Sequence, residues 1–316
     1  MSAFTSATAR RIAFATCADL PGLTDDDRLG AAALESLGVQ VVPAVWSDPA
    51  VEWGAFDSVV VRSCWDYFHR PDEFAAWIDA VDASGVPLRN PPALLRWNGD
   101  KRYLRDLADA GIAVPETVWV EDEVPSLVEV LSGRGWDEAV VKPVVSGGGF
   151  ETWRVGARDA TELQPRLAAL AARGAVMVQR FLRGILADGE WSLVYFGGRF
   201  SHALVKRARE GEFRVQHMHG GTVTAAEAPE WLRAHGERVI AAAAECAGLG
   251  EPPLYARVDG VMAEDGDFLL MELECVEPDF FLRTDGGAAE RFALAASSVA
   301  STATLQPLLA GELLKS

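Results

Sequence analysis

The chain predicts an α/β fold in its N-terminal part that becomes α+β toward the C-terminus. Three stretches carry that expectation. Residues 11–92 alternate short apolar strands with helices, residues 139–155 set a glycine-rich turn between two strands, and residues 255–279 form two strands around a tight acidic turn. Strands separated by helices imply a parallel, helix-covered sheet, whereas strands joined by short turns pair antiparallel.

Composition narrows the field further. At 316 residues, 49% hydrophobic and 24% charged, the chain is globular and long enough for two or three packed units. A net charge of -17 argues against a nucleic-acid or anionic-membrane partner, either of which needs a basic surface. Cys17, Cys64, Cys246 and Cys275 show no paired spacing, which points to reduced thiols in a cytoplasmic protein. No run approaches the roughly 20 apolar residues of a membrane span. The short run after Arg10-Arg11 leads into Asp19 and Asp25-Asp26-Asp27, unlike a signal peptide. Lysine occurs only at 101, 142, 206 and 315, while arginine is abundant. An ammonium is a compact charge suited to phosphate, so scarce lysines are candidates for that task.

Ile12–Thr16, Val39–Trp46 and Ser58–Arg62 are the first strands; Asp25–Leu37 and Pro71–Ser84 are helices, the second with proline in its first turn. Ligands of parallel sheets lie beyond the carboxyl ends of the strands. That singles out the loop Arg62, Ser63, Cys64, Trp65, Asp66 and Tyr67, either as substrate contacts or as a packed loop burying its rings. Pro92–Ala110 reads as one helix containing Lys101. Lys142 stands on the strand feeding Ser146, Gly147, Gly148 and Gly149. Strands on both sides exclude a Rossmann or Walker loop, but glycines still let backbone N–H groups approach phosphates. A flexible turn is the plain alternative.

Thr161–Ala172 is a helix and Ala175–Leu182 a strand ending in Gln179, Arg180, Phe181 and Leu182. Glu190 opens the next strand, and Phe200–Arg207 follows a glycine hairpin and carries Lys206. Arg214 comes next, then His217 and His219, whose spacing suits one strand face or a polar loop. Pro229–Cys246 and Ala288–Leu314 read as helices. In the strand pair from Tyr255, alternation gives Arg257 and Asp259 one face and Glu272 and Glu274 one face of the partner strand. If the faces coincide, three carboxylates meet one arginine and call for a hard divalent cation. A solvated acidic face is the alternative.

The order of these motifs resembles the ATP-grasp carboxylate–amine ligases, such as glutathione synthetase and D-alanine–D-alanine ligase, over about residues 98–279. The strings RSCWDY and ELECVEP are most similar to the O-ureido-serine cyclo-ligase of cycloserine biosynthesis. The resemblance implies an ATP-grasp fold: an N-terminal α/β unit (1–97), a lid unit (98–183), and a C-terminal unit with the metal site (184–316). It implies that Lys101 and Lys142 hold ATP phosphates under a lid of Ser146 and Gly147–Gly149. Gln179, Arg180, Phe181 and Leu182 would form the adenine hinge, and Glu190 would take the ribose hydroxyls. Asp259, Glu272 and Glu274 would hold two Mg2+ ions, with Mn2+ an alternative. Arg257, with Lys206 and Arg214, would be catalytic, and Arg62–Tyr67, His217 and His219 would face an amino-acid-like substrate. Two positions depart from the pattern: Glu274 stands where an asparagine is usual, and Arg180 where many relatives carry an acid. The implied reaction phosphorylates a carboxylate or ureido-type oxygen and lets an amine displace phosphate. Peptide-like bond formation and cyclisation are both open, as is a homodimer. A small-molecule kinase or a non-catalytic nucleotide binder is the alternative reading.

Overall fold

The computed structural model describes residues 9–298. The chain begins β1 (Arg11–Thr16), α1 (Asp25–Ser36), β2 (Gln40–Val45), β3 (Ser58–Val61), α2 (Pro71–Ala83) and β4 (Leu88–Arg89), a parallel sheet in the order β2-β1-β3-β4. Thr24 starts α1 by accepting a hydrogen bond from Asp27 N–H at 3.0 Å, and three aspartates sit in the first turn, where the helix dipole favours them.

Next come α3 (Pro92–Asn98), α4 (Tyr103–Asp109), β5 (Thr117–Val120), α5 (Leu127–Arg134), β6 (Glu138–Pro143), β7 (Trp153–Gly156), α6 (Ala160–Ala171) and β8 (Val176–Arg180). The four strands form an antiparallel sheet, β5-β8-β6-β7, with its own core of Leu127, Trp136, Val141, Trp153, Leu167 and neighbours. The expected single helix over 92–110 is two. Asn98 turns its side chain to β13 residues, Asp100 accepts from Arg102 N–H, and Lys101 N–H donates to Val144 O at 2.8 Å, so the backbone leaves the helix at Gly99–Arg102. Lys101 therefore sits on a turn and not within a helix.

The remainder is α7 (Gly184–Ala187), β9 (Glu190–Phe196), β10 (Arg199–Arg207), β11 (Thr222–Ala226), α8 (Glu230–Cys246), β12 (Tyr255–Met262), β13 (Phe268–Glu274) and α9 (Ala288–Ser298). Its sheet runs β11-β10-β9-β12-β13, antiparallel throughout. Leu94, at the end of the first expected unit, and Tyr103, Leu104 and Leu107, at the start of the expected lid unit, share a core with Tyr195, Val258, Leu270 and α8 of this sheet. Another core joins the N-terminal sheet to this one through Phe14, Leu34, Phe196, Tyr255, Phe280 and Phe292, with α9 against α1. His217 and His219 lie in a 3-10 turn, not on a strand, and the expected continuation of α9 through 314 lies outside the described residues.

One irregularity places the site. Across β12 and β13 the partners are Arg257↔Glu274 and Asp259↔Glu272, but the next pair is Gly260↔Leu270, leaving Met271 as the extra residue of a bulge. Phe268 and Leu270 face the core before the bulge, and Leu273 and Cys275 after it. The shift of one residue moves Glu272 and Glu274 to the other face, beside Arg257 and Asp259. Gly260 is required there, because a Cβ would overlap the Phe268 ring and lie 2.6 Å from Leu269 O. Gly260→Ala is expected to lower unfolding stability by roughly 1–3 kcal/mol in urea titrations. It should also reduce turnover more than an alanine at exposed Gly266 does.

Candidate active site

On the face made by β10, β9, β12 and β13, acids and bases alternate. Lys206 on β10 reaches Glu190 at 2.5 Å and, across β9, Asp259 at 2.8 Å. Arg257 donates through Nε to Asp259 at 3.0 Å, through Nη1 to the Asp279 carbonyl at 2.9 Å, and through Nη2 to Asp259 and Glu274. Lys101 closes the row on Glu272 at 2.8 Å. The register brings together the residues expected to be catalytic and metal-binding, except Arg214. Beyond the one arginine that alternation places among them, Lys206 and Lys101 also pair with these acids, so each carboxylate has a basic neighbour. Three like charges this close would otherwise not stay ionised, and buried pairs persist only when satisfied.

The compensation is uneven. Burial pushes the Asp259 carboxyl up, but Arg257 and Lys206 reverse that and hold it below the carboxylate range. Glu272 behaves alike: burial raises it, and Lys101 and Lys142 bring it down. Glu274 is the exception, pushed up to about 7 by burial and by Glu272 and Asp259, against which Arg257 is insufficient. Glu272 and Glu274 keep 28% and 27% of their side chains exposed. These hard oxygen donors, with positive charge short at Glu274, fit a divalent cation. Asp259 would join only if Arg257 or Lys206 turned aside. Among the described residues, no three acidic, histidine or cysteine groups are already gathered around one point as a metal site.

The lysines and the glycine loop meet this face. Lys101 Nζ also donates to Ser146 O at 2.6 Å, tying the start of the loop to Glu272's partner. Lys142 has no ion pair or hydrogen-bond partner among the described residues. Burial drives its ammonium down to about 8, Glu272 opposing and Lys101 adding to the shift. A dehydrated cation without a carboxylate suits an incoming phosphate. Gly148 and Gly149 have φ of +59° and +75°. The loop is gripped from two sides: Phe150 packs on Phe68 and His69 with ring centroids 5.5 and 4.9 Å apart, and His219 Nε2 lies 3.1 Å from Gly148 O. A Cβ on Gly149 would sit 3.2 Å from Arg214 Cδ. Arg214, expected to be catalytic, and His219, expected near substrate, thus stand at the loop, with Arg214 paired to Glu212. His217 lies on the same turn.

At the hinge, Gln179 is buried and donates to Thr117 Oγ1 at 3.2 Å, so its amide is already engaged. Arg180 is exposed, and the N–H groups of Arg180 and Phe181 bond to Glu116 O and Glu138 O. Phe181 and Leu182 pack with Val261 and Ile185, flanked by Val140, Phe213, Leu269 and Met271, an apolar layer beside the carboxylates. The loop after β3 divides. Arg62 and Ser63 are buried: Arg62 bonds Asp27 at 2.8 Å and Pro278 O at 2.8 Å and lies over the Phe280 ring, and Ser63 bonds Asp27. Asp66 accepts from Trp46 and Arg70. All three are thus already engaged with other groups of the fold. Trp65 is 42% exposed and donates to Glu277 O, and Tyr67 is buried, with Glu277, Glu272 and Glu274 among the charges nearest its phenol. Asn98, Phe68, Phe150 and Asp279 were not singled out from the sequence; isolated in their segments, they carried no spacing signal.

Solved proteins share this architecture. D-alanine–D-alanine ligase of Bacillus anthracis, in complex with ATP, superposes with TM-score 0.66 at 16% identity, covering 93% of this chain and 99% of that one. The architecture is that of the ATP-grasp ligases. The family model for the N-terminal domain of D-cycloserine synthetase DcsG matches residues 12–90. The cycloserine biosynthesis protein DcsG of Streptomyces lavendulae is 33% identical over 276 residues, 83% of this chain and 90% of the relative. The crystal structure of D-cycloserine synthetase DcsG matches with TM-score 0.84 at 30% identity, covering 92% of this chain and all of that one. The chain belongs to the DcsG family.

Lys142→Arg is expected to weaken ATP binding about tenfold or more by calorimetry, because a planar guanidinium replaces a compact ammonium. In the parent, ATP affinity should fall as pH rises through about 8, where unliganded Lys142 loses its proton. The charged form favours phosphate, so affinity is at its full value below that pH and declines progressively above it.

Proposed function

We propose that this ligase activates a carboxylate of an amino-acid-like substrate and closes it onto an internal nitrogen, as in the conversion of O-ureido-serine to cycloserine. The carrying observation is the Arg257–Asp259–Glu272–Glu274 face, with Lys101, Lys142 and the glycine loop against it. The likeness to the cycloserine biosynthesis protein favours cyclisation over joining two substrates. The apolar layer of Val140, Phe181, Leu182 and Met271 takes adenine, with Leu182 N–H the hinge donor left over from the sheet. Lys101 and Lys142 neutralise the phosphates while Ser146–Gly149 cover them. Glu272 and Glu274, with Asp259, would hold Mg2+, two ions in our reading, with Mn2+ a substitute. Bound there, the metal supplies charge neutralisation on the transferring phosphoryl group.

The substrate carboxylate attacks the γ-phosphorus, ADP leaves, and the acyl phosphate forms. The ring nitrogen attacks its carbonyl carbon and loses its proton, and phosphate departs with the electron pair of the broken C–O bond; with O-ureido-serine, water then cleaves the ureido carbonyl from that nitrogen, and the carbamate released breaks down to CO2 and ammonia. Arg257 lies fixed by Asp259, Glu274 and the Asp279 carbonyl, so its guanidinium stabilises the oxyanion with little reorganisation. Lys206, held between Glu190 and Asp259, steadies the same strand face and is freed for phosphate if metal takes Asp259. Glu190 would exchange Lys206 for the ribose hydroxyls. The grip of Phe68 and His69 on Phe150 keeps water from the anhydride once the loop is down. We place the enzyme in the cytoplasm; among the described residues no helix is long and apolar enough to cross a membrane.

With O-ureido-serine, ATP and Mg2+, the expected products are ADP, phosphate and cycloserine in step, with one CO2 and one ammonia from the ureido carbonyl, followed by chromatography and a phosphate assay. ADP without phosphate would identify a kinase instead. Asp259→Asn should abolish turnover with the fold intact by circular dichroism. Glu274→Gln should stay active at saturating Mg2+ but need more of it, since a neutral amide is usual there.

A further inference from the structure

Glu277 belongs to none of the pairs described above. Its backbone lies in a run where every carbonyl from 275 to 279 is held by a side chain: Cys275 O by Asn90 Nδ2 (2.7 Å), Val276 O by the Tyr255 hydroxyl (2.9 Å), Glu277 O by Trp65 Nε1 (3.0 Å), Pro278 O by Arg62 Nη2 (2.8 Å) and Asp279 O by Arg257 Nη1 (2.9 Å). The Glu277 carboxylate, by contrast, makes no hydrogen bond or ion pair among the described residues and stays partly open. The charges acting on it are the acids Glu274 and Glu272 and the bases Lys101 and Arg257, both already bound to other acids. Burial, then Glu274, push its carboxyl well above the usual range, and Lys101 offsets this only in part. A rigid, unpaired carboxylate beside the reacting groups lacks one thing, a cation supplied from outside.

We propose that Glu277 is a specificity-determining residue that receives the α-ammonium group of the substrate while the carboxylate faces Arg257. The assignment rests on the amino-acid-like substrate proposed above. Trp65, through its Nε1 on Glu277 O, and Tyr67, on whose phenol the Glu277 charge acts, bring the loop after β3 beside Glu277. An ammonium held there selects α-amino substrates and fixes the orientation of the carboxylate beside it.

The test compares parent and Glu277→Gln in steady-state ADP formation, using O-ureido-serine, other α-amino acids and their α-hydroxy counterparts. Expected for the variant is a rise in KM for the amino substrate of about tenfold or more, as for loss of a hydrogen bond to a charged group. KM for ATP, half-saturating Mg2+ and the melting temperature of the free protein should not move, and the preference for α-amino over α-hydroxy compounds should vanish. A shifted Mg2+ requirement would make Glu277 a metal ligand and overturn the proposal, as would an unchanged KM or a parent indifferent to the amine. If the parent ignores O-ureido-serine but accepts another α-amino acid, cycloserine formation fails as the reading, and Glu277 is judged on that compound by the same criteria. If no α-amino compound stimulates the parent, both fall.

Discussion

The extra residue at Met271 is the constraint on which the rest depends. A β-strand presents alternate residues to alternate faces, so an unbroken β13 would send Glu272 and Glu274 into the core with Phe268 and Leu270. The bulge reverses the alternation halfway along the strand. Apolar residues then line the core at both ends, while the acids meet Arg257 and Asp259 on the opposite face. Gly260 makes this feasible, since only a residue without Cβ lets Phe268 and Leu269 come so near.

The charges that gather on that face form a chain, Glu190–Lys206–Asp259–Arg257–Glu274, with Lys101–Glu272 beside it. Removing one member strands its neighbours in a region of low polarisability, which costs more than the lost contact alone. The chain thereby keeps the strands aligned before nucleotide arrives. Lys101 does double service, holding both Ser146 O and Glu272, so loop position and carboxylate charge are linked through one ammonium.

Much of this was legible in the residues. Alternation identified the parallel sheet and put Arg257 with Asp259 and Glu272 with Glu274; that the two faces coincide required the register, which local pattern does not contain. Lysine scarcity pointed to 101, 142 and 206, each of which lies at the cleft. The readings that changed share a cause, distant partners acting on short segments. Asn98 and Lys101 interrupt a helix by bonding to β13 and Val144, and Arg62 is drawn into Asp27 and Phe280 and away from the cleft. The α5 helix went unread because its eight residues alternate weakly between faces.

The anchored run from Cys275 to Asp279 bears on how such a ligase changes its substrate over evolutionary time. Its anchors come from three separate segments, at Arg62 and Trp65, at Asn90, and at Tyr255 and Arg257, so no insertion or shift there is tolerated without releasing several at once. A lineage exploring new substrates is left with side-chain exchange at fixed coordinates. Drift in this pocket would proceed by single replacements on an unmoving frame, and new chemistry would arise while the phosphate-handling half of the cleft stayed as it was.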